Sequence, residues 1–376
     1  MKSGSTSKLF YLFKKKLVAN SNASKVAAFL DSLVAKNQTP GVQYVVLKND
    51  EISFEHTAGV AEFEHGRPIT KQTSFNACSV TKTFTSLAIM QLLEEGKIKI
   101  SDDASAYLDP YPFPEEITIQ QFLSHTSGLS NPIPLRWAHL HEEDASFNSD
   151  AFVSAVLSAH SKLKHHPGQH FAYSNLNYLV LGKVVEKVSG MDYRAYVHRH
   201  IISKLLLNNM PLQFLVTSDS NYARGYQKKL TAINTILGFF LDRKKFTEPS
   251  SNKKWIKFRK YYVNGTAYGG LIANAYSLSA FIKTLFQPGS ILLSDEYKKT
   301  LLTKQKVRNG KMIEMTLGWF TGRLNDANYF THAGGGGGYY CEMRKYPEKN
   351  LITSIMFNRT GINDERFLDK VDRFFL

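Results

Sequence analysis

Residues 79–96 read Ser-Val-Thr-Lys-Thr-Phe-Thr-Ser-Leu-Ala-Ile-Met-Gln-Leu-Leu-Glu-Glu-Gly. This run predicts an apolar helix that stops at Gly96, because glycine closes helices in the left-handed conformation. Positions i and i+3 share one face of a helix, so the Lys82 amine is set beside the Ser79 hydroxyl. The N-terminus of a helix also favours developing negative charge. A serine hydroxyl is a poor nucleophile at neutral pH unless a neighbour removes its proton, and Ser79 with Lys82 offers both parts. Spacing alone does not select this pair, since Ser-x-x-Lys recurs at Ser5, Ser161, Ser250 and Ser251. The position at the head of an apolar helix does.

Two distant stretches complete a candidate site. Residues 171–182 (FAYSNLNYLVLG) set Tyr173 and Asn175 in a loop just ahead of a helix. There a tyrosine can relay protons and an asparagine can hold a substrate carbonyl. Residues 329–340 (YFTHAGGGGGYY) read as a strand running into five glycines, Gly334 to Gly338. Glycines let a substrate lie against the strand backbone, and a free N–H there can join that of Ser79 as an oxyanion hole. A phosphate-cradling loop does not fit, because strand-like text rather than a helix follows.

The 376 residues are 43% apolar and 21% charged, enough for one large core or two lobes. Cys78 and Cys341 are the only cysteines, too few for a disulfide framework or a four-thiolate zinc site. Leu9 to Phe13 is a short apolar patch followed by Lys14, Lys15 and Lys16, the reverse of a secretory signal's charge order. No run reaches the ~20 apolar residues of a spanning helix. A cytoplasmic protein is the expectation, or a periplasmic or extracellular one if a precursor segment was removed. The net charge of +15 is concentrated in residues 1–16 and 221–262. The remainder is nearly neutral, which disfavours nucleic acid as a partner.

Apolar spacing predicts helices over 24–36, capped by Ser24, and over 116–129, 149–160, 175–189 and 191–207, then Ser277 to Phe286 and a last one from about Asp364. Strand-like text occupies 42–48, 51–58, 315–321, 328–333, 338–345 and 351–358, with a turn at Asn49-Asp50. The expected fold is α/β (α+β): a mixed, largely antiparallel sheet flanked by helices, with an inserted, mainly helical lobe. Residues 1–105 and 265–376 would build the sheet domain. Residues 106–264 would form the helical one, including a basic insert at about 228–262.

Taken in order, and with Leu123-Ser124-His125-Thr126-Ser127-Gly128-Leu129, Pro167-Gly168 and Gly269-Gly270-Leu271, these elements resemble the serine β-lactamase and penicillin-binding protein superfamily. Class C β-lactamases, D-alanyl-D-alanine carboxypeptidases, D-aminopeptidases and related esterases are the nearest branch. The resemblance spans roughly 25–370. It implies Ser79 as the acylated nucleophile, Lys82 and Tyr173 sharing proton transfer, Asn175 binding substrate, and His332 with Gly334 lining the opposite wall. It also implies the N–H of Gly335 as second oxyanion donor, and a route that needs no metal or other cofactor. Buried thiolate chemistry at Cys78, a triad of His125 with Asp102 or Asp103, and metal ligation by His139/His141 or His165/His166 are weaker readings of the same residues.

Two features depart from the pattern. Where class C β-lactamases present Lys-Thr-Gly, this chain presents His332-Ala333-Gly334. A lysine attracts the carboxylate of β-lactams and D-alanyl peptides, whereas a histidine of ordinary pKa is mostly neutral at pH 7. A peptidase, amidase or esterase with a less anionic small-molecule or peptide substrate is therefore expected ahead of a true β-lactamase. A non-catalytic penicillin-binding or membrane-surface relative is the rival from another class. Secondly, residues 231–241 (TAINTILGFFL) are apolar and flanked by lysines and arginines, the composition of an interfacial helix. Segment 228–260 is thus a candidate contact for an anionic membrane or polymer.

Overall fold

The computed structural model describes residues 21–132, 134, 137–229, 243–361 and 366–376. Helix α1 (residues 21–35) leads into β1 (Gly41–Lys48) and β2 (Glu51–Glu62), followed by β3 (Arg67–Pro68) and β4 (Phe75–Asn76). The β1–β2 turn residues Asn49 and Asp50 have φ of 52° and 65°, the twist that suits a tight hairpin. Helix α2 (Thr81–Glu94) follows a short 3₁₀ turn at Cys78–Val80. Then come α3 (Ile119–Leu123), β5 (Ala138–Leu140), α4 (Ser149–Ala159), α5 (Asn175–Ser189) and α6 (Tyr193–His200). Short strands β6 (Leu212–Gln213), β7 (Tyr226–Lys228), β8 (Thr247–Pro249), β9 (Trp255–Phe258), β10 (Tyr261–Val263) and β11 (Ile272–Ala273) occupy the region before the helix Ala275–Phe286. A helix at Asp295–Leu302 precedes β12 (Phe320–Leu324), β13 (Ala327–Gly336), β14 (Tyr339–Tyr346) and β15 (Leu351–Phe357).

The principal sheet has the order β12-β13-β14-β15-β1-β2-β3, and every pairing in it is antiparallel. β1 pairs with β15 in the register Val42↔Phe357 to Lys48↔Leu351, joining early and late parts of the chain. The period of two in β1 sends alternate side chains to opposite faces. Val42, Tyr44 and Val46 pack with Val26 and Leu30 of α1 and with Phe367 and Leu368. Val45 and Leu47 face a larger core containing Phe84, Leu87, Leu179 and Phe281. Each such fully buried side chain is worth about 1.5–3 kcal/mol over its exposed state. The architecture is the α/β one expected from sequence, with helices flanking an antiparallel sheet.

Helix α2 is the centre of the packing, with every residue from Thr81 to Leu92 buried. Several of its polar side chains bond to distant segments: Thr85 to Ala267 O and the Tyr193 hydroxyl, and Ser86 to the Tyr178 hydroxyl at 3.1 Å. Gly96 ends this segment with φ 68°.

Several boundaries differ from the periodicity. Ser24 lies inside α1 rather than capping it. Within 116–129 only α3 is helical, opened by a Thr118/Gln121 capping box and ended by the left-handed His125 (φ 56°) and Gly128 (φ 83°). The 191–207 pattern breaks at Ile201, after α6. The last helix is reduced to Asp369–Asp372. Phe320, not residue 315, begins β12. The stretches 1–16 and 231–241, and the expected helix start at Asp364, lie outside the described residues. Among the described residues no helix is long and apolar enough to cross a membrane.

Candidate active site

Ser79 sits in the 3₁₀ turn before α2, presented by Cys78, whose φ of 47° is unusual for a non-glycine residue. The turn is tied down from both sides. Thr81 Oγ1 donates to Cys78 O at 2.6 Å and accepts from Leu271 N at 3.0 Å, while Ala77 N donates to Leu271 O at 2.8 Å. The Gly269-Gly270-Leu271 element therefore clamps the Ser79 turn. Strand β13 closes the other side. A Cβ on Gly334 would lie 2.5 Å from Ala77 O and 2.7 Å from Ser79 N, so only glycine lets the strand approach this closely.

Lys82, one helical turn on from Ser79, is fully buried. Its Nζ lies 2.7 Å from Tyr268 O, 2.8 Å from Asn175 Oδ1 and 3.3 Å from Ser79 Oγ. None of the three is a carboxylate. Burial therefore pushes the amine well below its ordinary pKa, with Cys78 opposing weakly. The faces of Tyr173, Tyr178 and Tyr268 stand 5.1–5.5 Å from Nζ and favour the cation, but such contacts are worth only about 0.5–2 kcal/mol each.

Asn175 begins α5, and Ser174, not Asn175, caps it by accepting from Leu176 N. The Leu123–Leu129 element supports this start. His125 Nδ1 accepts from Ser174 N at 3.2 Å and from Asn177 Nδ2 at 3.0 Å, and Ser127 Oγ donates to Asn177 Oδ1 at 2.6 Å. Gly168 N donates to Thr126 O, binding Pro167-Gly168 to the same loop. Tyr173 is half-buried, its ring 4.4 Å from that of His125. His125 is thus a brace beneath Tyr173 and Asn175, and burial holds its pKa well below the usual range. Asp102 accepts from the Tyr107 hydroxyl and Lys99 N, and Asp103 from Ser105 N, so neither is bonded to His125.

His332 on β13 is 1% exposed, and its Nδ1 donates to Ala333 O at 2.8 Å, which leaves Nε2 as the unprotonated nitrogen. Burial lowers its pKa to about 3. Sequence reasoning missed Phe320, which stands between the two walls: its ring is 5.4 Å from His332 and 6.3 Å from Tyr173. It also missed the Tyr268 carbonyl, since a backbone acceptor leaves no signature in the text.

Of the other candidates, both cysteines are free thiols, and burial pushes Cys78 up to about 12, which removes a thiolate nucleophile. His139 is held by Asn264 and Asp144, and His166 by Glu115. No group of three or more His, Cys, Asp or Glu among the described residues is placed to hold a metal ion. Among the described basic residues of 221–262, Arg224 pairs with Glu248, Lys245 with Glu143, Lys257 with Glu62, Glu64 and Glu248, Arg259 with Glu142, and Lys260 with Asp219.

Fold and site together define a serine hydrolase of the penicillin-recognising type. The chain belongs to the beta-lactamase family, whose model matches residues 26–375. Penicillin-binding protein 4* of Bacillus subtilis is 25% identical over 334 residues, 88% of this chain and 70% of that protein. Protein flp of Staphylococcus aureus is 26% identical over 217 residues, 56% of this chain and 42% of flp, so the matched part is less than half of that relative. In fold, the penicillin-binding protein homologue from Pyrococcus abyssi superposes with a TM-score of 0.74 at 21% identity, covering 93% of this chain and 76% of that one.

Proposed function

We propose that the protein hydrolyses an amide or ester through an acyl-enzyme on Ser79, with Lys82 as the base that activates it. The observation that carries this is the partner set of the Lys82 amine. A neutral amine has two N–H bonds and one lone pair. The two nearest oxygens, of Tyr268 and Asn175, accept the two N–H bonds, and the lone pair is left for the Ser79 hydroxyl proton. Ser79 Oγ then attacks the carbonyl carbon and Lys82 takes the proton. The N–H groups of Ser79 and Gly335 receive the oxyanion, with Gly334 permitting the close approach. Lys82 and Tyr173 return the proton to the leaving group, Asn175 holds the substrate, and water attacks the ester in a second step.

On the substrate, the neutral His332 supports a peptidase, amidase or esterase over a β-lactamase. A group with a pKa of about 3 offers no positive charge to a carboxylate at neutral pH. Intact-mass spectrometry across penicillin, cephalosporin, D-alanyl peptide and short and long esters tests the reading. The expected result is a covalent adduct on Ser79 that Ser79→Ala abolishes and that turns over faster from uncharged donors. An adduct elsewhere, or none with any donor, refutes it. An adduct that never turns over would mark a penicillin-binding relative without hydrolysis.

We also propose that the basic segment touches an anionic membrane or polymer, a reading supported by the exposure of Lys229, Lys253 and Lys254. Reversing these three charges should remove salt-sensitive liposome binding, and binding that survives the reversal sinks the idea.

A further inference from the structure

A cleft of about 290 Å³ is bordered by Ser79, Asn175 and Gly335. Trp137, Phe246, Phe258, Tyr261, Val263 and Tyr268 supply the aromatic and apolar part of its lining. The hydroxyls of both tyrosines are taken up by backbone carbonyls: that of Tyr261 donates to Gly337 O at 3.0 Å, and that of Tyr268 is directed to Trp137 O at 3.4 Å. Among the described residues no acidic, basic or histidine side chain lines the cleft.

Phe246, Phe258 and Tyr261 come from the same 221–262 segment that carries the excess of lysine and arginine. Its cations lie on the other side of the segment: Lys245, next to Phe246, pairs with Glu143, and Lys257 and Arg259, either side of Phe258, pair with acids outside the cleft. Backbone bonds from Arg259 N to Phe246 O and from Phe258 N to Gly225 O, at 2.9 and 2.8 Å, fix the two rings. The segment thus has an ionic outer face and an aromatic inner one.

Neither Tyr173 nor His332 lines this cleft. A leaving group that takes its proton through Tyr173 lies outside the cleft, so the half of the substrate that enters the cleft is the half retained on Ser79. From this arrangement we infer that the cleft is an acyl pocket for an uncharged, apolar or aromatic acyl group of about six to eight carbons, its volume being that of roughly ten waters. The inference rests on the Ser79 acyl-enzyme reading and names its substrate class.

Two ester series on the full chain test it. The first holds p-nitrophenol as leaving group and lengthens the acyl chain from acetyl to octanoyl, with phenylacetyl and the anionic succinyl and adipoyl esters alongside. The second holds the acyl group at butyryl and varies the apolar size of the alcohol. In the first series kcat/KM should rise roughly fourfold per methylene until the cleft fills, as expected for burial of one CH₂. The anionic acyl esters should fall on the order of a hundredfold below their neutral counterparts of equal length, and the second series should be flat within about threefold. In Phe246→Asp and Phe258→Ser the chain-length slope should diminish. A flat acyl series, a preference for succinyl, or a steep dependence on the alcohol overturns the acyl pocket while acylation of Ser79 still stands. Absence of any Ser79 adduct in the intact mass, judged against Ser79→Ala, overturns the parent reading and this inference with it.

Discussion

Two basic side chains among the described residues, Arg344 and Lys82, are wholly buried, and they are treated in opposite ways. Arg344 on β14 is fully buried, bonded to Glu342 Oε1 at 2.6 Å and to Asp369, with Asp372 at 4.0 Å. The same cluster takes in the hydroxyls of Tyr44, Tyr346 and Thr353, each donating to Asp372. Lys82, equally buried, meets only neutral oxygens. The carboxylates keep Arg344 charged against desolvation, whereas Lys82 has no carboxylate to offset burial and its pKa is pushed well below the ordinary lysine value. A guanidinium with three acids is a fastener between the sheet and the C-terminal turn. An amine without acids beside it is suited to the proposed role of a base.

Exchanging the two roles gives the largest expected effect. Lys82→Met should lower the rate of Ser79 acylation by on the order of 10³–10⁴-fold, while chemical denaturation shows stability moving by no more than about 2 kcal/mol. Arg344→Met should do the reverse. Stranding Glu342 and Asp372 should cost about 3–5 kcal/mol of stability, with acylation per folded molecule retained. If Arg344→Met abolishes acylation in the folded fraction, or Lys82→Met unfolds the chain, the division between the clusters fails.

A smaller loss is expected where backbone approach, not charge, is at stake. Gly334→Ala forces β13 off Ala77 O and Ser79 N and should slow acylation on the order of a hundredfold, measured as kcat/KM on an activated ester. The same substitution at Gly335, whose Cβ would meet nothing closer than 3.7 Å, should cost far less, so equal losses would contradict the geometry.

The pH response sharpens the comparison further. His332 falls to about 3 on folding and His125 is also depressed, so the unfolded chain binds more protons between about 3 and 6.5. The histidine contribution to stability should therefore decline as pH falls through that window, against an opposing one from Glu342, raised to about 7, and His332→Gln should make the decline shallower. The acylation profile of the wild type should show no inflection near 6.5 from His332. His332→Lys, by placing a charge on the β13 wall, should raise the ratio of anionic to neutral ester hydrolysis by about tenfold.

The elements that were legible in the sequence are those whose chemistry lies in side chains at fixed spacing. Ser79 and Lys82 could be placed on one helix face because Gly96 and the apolar run fixed the helix, and Tyr173-Ser174-Asn175 because a long amphipathic helix follows. The 116–129 prediction overran because apolar spacing continues through His125, whose left-handed φ comes from its tertiary bonds to Ser174 and Asn177. The Tyr268 carbonyl, the φ of Cys78 and the packing of Phe320 between Tyr173 and His332 were invisible for the same reason. Each depends on segments brought together from distant parts of the chain. The aromatic wall from Phe246 and Phe258 was hidden by its lysines, which read as a surface charge run.

The claim on which the account rests is that Lys82 is an uncharged amine. Carbon-13 NMR of ε-labelled lysines, with Lys82 assigned by the resonance missing from Lys82→Arg, measures this directly. The account predicts that the Lys82 signal sits at the neutral-amine position at pH 8 and does not move between pH 9 and 11, while the surface lysines titrate there. A Lys82 signal at the ammonium position at pH 8 that titrates with the others near 10.4 would contradict it.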